Sequence, residues 1–212
     1  MTNFIPIFPL ELVVFPGEPL NLHIFEPRYK QLVRECFDRQ KLFGMPSVIN
    51  NKLGDFGTTI LVKEVFKTYD NGEMDIKTEA RQVFRILEVI KDVPDKLYSG
   101  AIVNYPACSP HGNDKLMKCL IENMRVLHQK LGVNKKFSKN DKELNTYDIA
   151  HHSGLTIEQE YELLQLTSEK QRQQYLKRHF ENTSQVLAEQ ESIKEKIQMN
   201  GHFKELNSRF DF

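Results

Sequence analysis

The chain has 212 residues, 40% of them hydrophobic and 27% charged, which is ordinary globular usage with room for one large or two small domains. Net charge is zero at neutral pH, and Lys+Arg nearly balances Asp+Glu in each half, 13 against 14 over residues 1–106 and 16 against 15 over residues 107–212. Neither half offers the positive field that phosphate backbones demand, so nucleic acid is not the expected partner. No apolar run reaches the length of about 18 residues that a membrane span needs, and the N-terminus lacks a basic region followed by a long apolar run. Cys36, Cys108 and Cys119 are odd in number and scattered, which fits a reducing compartment better than a disulfide framework; a cytoplasmic location is expected.

The most structured stretch of sequence is the first, residues 5–34. Prolines at 6, 9, 16, 19 and 27 break two short apolar strands and start a helix, and Pro16-Gly17 is a turn dipeptide. Pro27 suits the first helical position, where a missing N–H costs nothing. Tyr29, Leu32, Val33, Cys36 and Phe37 then recur along one helical face. The order is strand, turn, strand, helix.

Further on, Phe43–Ile49 reads as a strand, Asn50–Gly57 as a polar link, and Thr58–Tyr69 as a strand rich in β-branched residues. Asn71-Gly72 predicts a two-residue hairpin turn. Met74, Ile76 and Thr78 alternate with Asp75, Lys77 and Glu79, a half-buried strand, and Val83–Ile90 and Ala101–Tyr105 are further strands. Six or so strands with one early helix predict a closed or nearly closed barrel.

Pro106, Ser109, Pro110 and Gly112 mark a connector, after which strand signals stop. Asn113 is a good N-cap for a helix striped with Leu116, Met117, Leu120, Met124, Leu127 and Leu131. Gly132–Lys142 is a polar loop, and a short helix ends near Gly154. Thr156–Gln159 and Ser168–Gln171 are capping-box patterns. The second opens a long helix, predicted to run to Asn200, with Leu176, Phe180, Thr183, Leu187, Ile193 and Ile197 near one stripe.

The opening residues, Ile5-Pro6-x-Phe8-Pro9-Leu10-x-x-Val13-Val14-Phe15-Pro16-Gly17-x-x-Leu20-x-Leu22-x-Ile24-Phe25-Glu26-Pro27-Arg28-Tyr29, resemble the start of the LON N-terminal domain. That domain is the substrate-recognition part of Lon proteases and also occurs in stand-alone bacterial proteins and cereblon-like proteins. The resemblance extends through Phe56-Gly57-Thr58 to Ile90, with Ala80 where many members have Gly, and through Asp148–Glu189. It implies an α+β fold: a small barrel of the pseudouridine-synthase-and-archaeosine-transglycosylase (PUA-like) type over residues 1–106, then a helical bundle with a long C-terminal helix over residues 112–212. A cleft is expected between them.

Catalytic signatures are missing. No Gly is followed by Lys, which excludes a Walker A phosphate loop, and there is no Gly-x-Ser-x-Gly, His-Glu-x-x-His or Cys-x-x-Cys. The chain is far shorter than a Lon protease and carries neither that family's ATPase module nor its Ser–Lys dyad, so the resemblance implies no enzyme activity. Cys108-x-x-His111 with Cys119 falls one ligand short of a structural zinc site, so neither a metal nor another cofactor is expected. His151 and His152, adjacent on a helix, would point about 100° apart, one to the core and one to solvent. His23, between Leu22 and Ile24 on a strand, should face out. Glu26 and Arg28 would serve the helix start and a neighbouring carboxylate. Lys135, Lys136, Lys139 and Lys142 read as a solvated charge run.

The lead expectation is therefore a non-catalytic polypeptide-binding module, taking exposed apolar segments of unfolded chains as partner and serving as an adaptor or accessory factor in protein quality control, alongside a protease or chaperone. Its candidate binding residues are Phe8, Phe15, Pro16, Phe25 and Tyr29, because unfolded segments expose apolar side chains and demand apolar surface in return. For each residue singly, a place in the core is the competing assignment. The alternative function is an RNA- or small-ligand-binding PUA-like module.

Overall fold

The computed structural model describes residues 3–135 and 137–185. The sheet is assembled on one long strand, β5 (Met74–Ile90), which pairs antiparallel along one edge with β4 (Lys52–Thr68). Its other edge is shared: the first half pairs with β2 (Pro19–Ile24) and the second half with β6 (Gly100–Asn104). β1 (Asn3–Pro6) extends the sheet beyond β6, and β3 (Phe43–Ile49) beyond β4, in the order β1-β6-β5-β4-β3. The expected barrel is not closed by a continuous ladder. The gap between the outer strands is spanned by residues 7–10, through isolated parallel bridges Ile7–Gly44 and Leu10–Ser47. Phe8 and Leu10 N–H donate to the Gly44 and Pro46 carbonyls and Val48 N–H donates to the Leu10 carbonyl, while Pro46 has no N–H to supply the bond between them.

Two turns differ from the sequence expectation. Residues 50–57 are not a link: β3 and β4 join directly through Asn50-Asn51, both with positive φ (51° and 61°), and β4 begins at Lys52. Asparagine tolerates this left-handed backbone better than most side chains, and two such residues in succession suit a tight hairpin. Conversely, Asn71-Gly72 does not form a two-residue turn. Gly72 N–H donates to the Tyr69 carbonyl and Tyr69 N–H to the Glu73 carbonyl, so the loop holds three residues, with Gly72 (φ 77°) as its left-handed member. Ala80 does not have positive φ; it is buried in β5, donates to the Glu18 carbonyl and accepts from Gly17, so alanine fits there without strain.

Helix α1 (Pro27–Asp38) starts at Pro27 and buries Tyr29, Leu32, Val33 and Cys36 against the sheet. Together with Phe8, Val14, Ile24, Phe43 and Ile76, among others, they form the first core. α2 (Asp114–Leu131) is capped by the Asn113 side chain, which accepts from Leu116 N–H. Its buried stripe ends at Leu127 and His128; Leu131 is exposed. α3 (Thr146–Ala150) and α4 (Ile157–Gln165) each carry a full capping box, on Asn145 and Thr156. A fifth helix, α5, covers residues 169–185; the expected continuation to Asn200, with Leu187, Ile193 and Ile197, lies outside the described residues.

The helices and the sheet share a core. Val13, Phe15 and Val83 pack among Leu120, Met124, Ile149, Leu163, Leu176 and Phe180. A third, smaller core of Ile5, Ile7, Phe84, Ala101 and Val103 lies beneath β1 and β6. Residues 13–15 are extended, so Val14 faces the first core while Val13 and Phe15 face the second. The buried Thr58 hydroxyl donates to the Val14 carbonyl and holds this crossing point. Beside it, Gly57 passes so close to β3 that a Cβ would meet the Met45 carbonyl oxygen and Pro46 backbone. Gly57→Ala should therefore cost about 1–3 kcal/mol through forced strand displacement. The check is urea unfolding, with a lower midpoint at unchanged slope.

Candidate functional site

A cleft of about 490 Å³ opens where the Pro16-Gly17 turn of the sheet half meets the loop before α3 and the turn after it. Phe15 lies at its base, fully buried, with Pro16 half-buried above it. Tyr147 stacks on Phe15 with ring centroids 5.2 Å apart, and Phe137 and Leu144 line the opposite wall. Gly17 takes φ 89°, a conformation that places the turn at the rim and that a side chain would strain.

The rim is charged and fastened. His151 is held between two carboxylates: Nε2 lies 2.9 Å from Glu18 of the turn and Nδ1 lies 2.7 Å from Glu160 of α4. Glu18 also accepts from Phe15 N–H, so one carboxylate joins the turn to the histidine. Burial opposes charge on His151, but its hydrogen bonds to Glu160 and Glu18 outweigh that, and its pKa rises to about 9. His152 turns the other way: burial, then Lys135, lower its pKa, and its ring meets Phe137 edge-on. Neither ring is a core residue or a freely solvated one; both sit at the cleft. Lys139 pairs with Asp148 at 2.6 Å, Lys135 lies at the rim, Lys142 lines a separate cavity of about 350 Å³, and Lys136 is outside the described residues.

Behind the cleft wall lies an ion pair that the sequence reading missed. Glu169 and Arg172 of α5 are both 4% exposed, with Arg172 donating to Glu169 at 2.8 Å. Thr146 N–H and hydroxyl donate to the same carboxylate, Arg172 also donates to the Leu166 carbonyl, and its guanidinium lies 4.1 Å from the Tyr147 ring centroid. The stack Phe15–Tyr147–Arg172 thus runs from sheet to helix. His128 of α2 and His179 of α5 fasten the turn after α3, their Nε2 atoms donating to the carbonyls of His152 (2.7 Å) and Ser153 (2.9 Å). A carbonyl only accepts, so both Nε2 atoms carry the proton.

The five candidate binding residues fall in different places. Phe8 and Tyr29 stack on one another with centroids 3.9 Å apart and are buried in the first core. Phe15 and Pro16 belong to the cleft. Phe25 is 58% exposed just past the end of β2, beside His23. His23 is on the outer face as expected, held by Asp75 at 2.6 Å and near Glu73 at 3.3 Å; the Asp75 hydrogen bond raises its pKa. Arg28 pairs with Glu26 itself, and Glu26 makes no side-chain bond to the helix start. Cys108 and Cys119 are exposed, and among the described residues no group of three or more His, Cys, Asp or Glu side chains is arranged to hold a metal ion. No helix among the described residues is long and apolar enough to cross a membrane.

Two outcomes follow from this geometry. Because the folded-state pKa of His151 lies above its ordinary value, its clamp contributes stability fully below about pH 6.5, and the contribution fades as pH rises through about 9. The stability difference between the protein and His151→Gln should therefore be constant near pH 6 and shrink between pH 6.5 and 9, read from urea midpoints across that range. Arg172→Met strands a buried carboxylate and should cost about 3–5 kcal/mol, with Glu169→Gln in the same chain recovering part of the loss.

Residues 5–182 match the model of the ATP-dependent protease La (LON) substrate-binding domain family. The fold is similar to the crystal structure of a Lon N-terminal domain protein from Xanthomonas campestris, with TM-score 0.59 and 23% identity over 88% of this chain and 98% of that one. It is also similar to the N-terminal domain of the Mycobacterium avium complex Lon protease, with TM-score 0.58 and 12% identity over 84% and 98% of the two chains. At these identities the structural likeness speaks for the fold alone; the match across most of the chain, together with the opening motif from Ile5 to Tyr29, places this protein in the LON substrate-binding domain family, whose domain is itself non-catalytic.

Proposed function

We propose that this protein binds exposed apolar segments of other polypeptides, without chemistry of its own, as an adaptor or accessory factor in protein quality control. The observation that carries this reading is the cleft beside the Pro16-Gly17 turn, in a chain whose family is described by substrate binding. Its base and walls carry apolar side chains, Phe15, Pro16, Phe137, Leu144 and Tyr147, and its rim is polar, the usual build of a recognition site. Of the candidate residues, Pro16 and Phe25 meet the ligand directly. Phe8, Phe15 and Tyr29 hold the backbone that presents them. Working partners would be a protease or chaperone that receives the captured chain.

Titration of the full chain with reduced, carboxymethylated lactalbumin, a permanently unfolded protein, should give saturable heat without ATP, with Kd on the order of 10 µM. Pro16→Ala and Phe25→Ala should each weaken binding while changing stability by no more than about 0.5 kcal/mol, as expected of residues outside a core. No heat at tens of micromolar would overturn the reading.

A further inference from the structure

β2 has a single ladder neighbour, β5, among the described residues. The direction of its main chain follows from its pairing. Ala80 N–H donates to the Glu18 carbonyl, and in an antiparallel ladder such facing positions recur every second residue. Leu20, Leu22 and Ile24 thus turn their main chain toward β5, whereas Pro19, Asn21 and His23 turn theirs away. Pro19 agrees with this, because a proline is tolerated in a strand where its missing N–H would have pointed off the edge. Pro19, Asn21 and His23 are all exposed. Amides at Asn21 and His23 and carbonyls at Pro19, Asn21 and His23 therefore form an open edge about 13 Å long.

This edge joins the cleft to an exposed aromatic side chain. At its start, Glu18 and Pro19 line the cleft, and just past its end stands exposed Phe25. On the core side, Leu20 and Leu22 are only half-buried and pack at the margin of the first core. We infer that the polypeptide ligand docks as an added strand along the outer edge of β2, running between the cleft and Phe25. Its chemistry follows from the edge. Main-chain groups supply donors and acceptors whatever the sequence, while an alternately apolar segment sets every second side chain beside Leu20 and Leu22. A strand-forming segment fits, and an amphipathic helix, with its main chain already satisfied, does not. The inference rests on the polypeptide-binding reading and adds its place and mode.

The test separates the two. With carboxymethylated lactalbumin bound to the full chain, amide hydrogen exchange at Asn21 and His23 should slow by at least about tenfold, as for amides entering a ladder. Asn21→Pro deletes one outward donor and should weaken binding by about tenfold, whereas Asn21→Ala keeps the N–H and should bind like the unaltered chain. Binding with unchanged exchange at both amides overturns the inference and leaves the polypeptide reading standing; absence of any binding removes both. Should Asn21→Pro fail to fold, the exchange measurement on the unaltered chain decides.

Discussion

Everything in this molecule depends on how residues 13–15 cross from one core to another. The segment is extended, so its side chains alternate, and both sides are dry: Val14 enters the core between sheet and α1, and Val13 and Phe15 enter the core between sheet and helices. An unbroken apolar run is what a segment buried on both faces requires. Its backbone is held at the crossing by the buried Thr58 hydroxyl, and the approach of β3 there is close enough that residue 57 has room only for hydrogen. If this crossing slipped by one residue, Val14 would exchange cores with its neighbours and the Pro16-Gly17 turn would leave the cleft rim.

Around this crossing, polar contacts set the helices against the sheet. Tyr161 of α4 lies over Gly54 and its hydroxyl accepts from Phe56 N–H at 3.0 Å. Glu18, His151 and Glu160 do the same across the cleft, and the Phe15–Tyr147–Arg172 stack does it beneath. The connector is fixed as well, by main-chain bonds between Ser109 and residues 167 and 169 and by Gln173 accepting from Asn113 N–H. The helical half thus meets the β half through hydrogen bonds and ion pairs around a shared apolar plug. Apolar packing sets the frame, and charged side chains stand around the cleft.

The gaps in the sequence reading have definite physical causes. Polar neighbours mask the turn signal of Asn50-Asn51, yet paired asparagines tolerate consecutive positive φ as few residues do. Asn71-Gly72 is a pair that favours the shorter turn; the Asn71 side chain, accepting from Glu73 N–H, accompanies a three-residue loop instead. The Glu169–Arg172 pair sits at i, i+3 on a helix, a spacing that usually signals a solvated surface pair, and only packing against Thr146 and Tyr147 buries it. Among the candidate aromatics, a Phe on an apolar strand carries no mark of whether it faces a core or solvent, which is why Phe8 and Phe25, similar in sequence context, end at 7% and 58% exposure.

Local chemistry settled what one or two turns of chain can settle. Proline positions set the breaks in the opening stretch and the start of α1, the Asn113 and Thr156 caps set helix starts, and the alternation of residues 74–78 set a strand, because each depends on neighbours within a few residues. The family too was legible there, since its motif is a run of these local signals. Which residues share a cleft was decided only in three dimensions. Glu18, Tyr147, His151 and Glu160 are scattered along more than half the chain, and no periodicity links them. Likewise, that β2 pairs with β5 alone among the described residues is a matter of chain path that no stretch of sequence records.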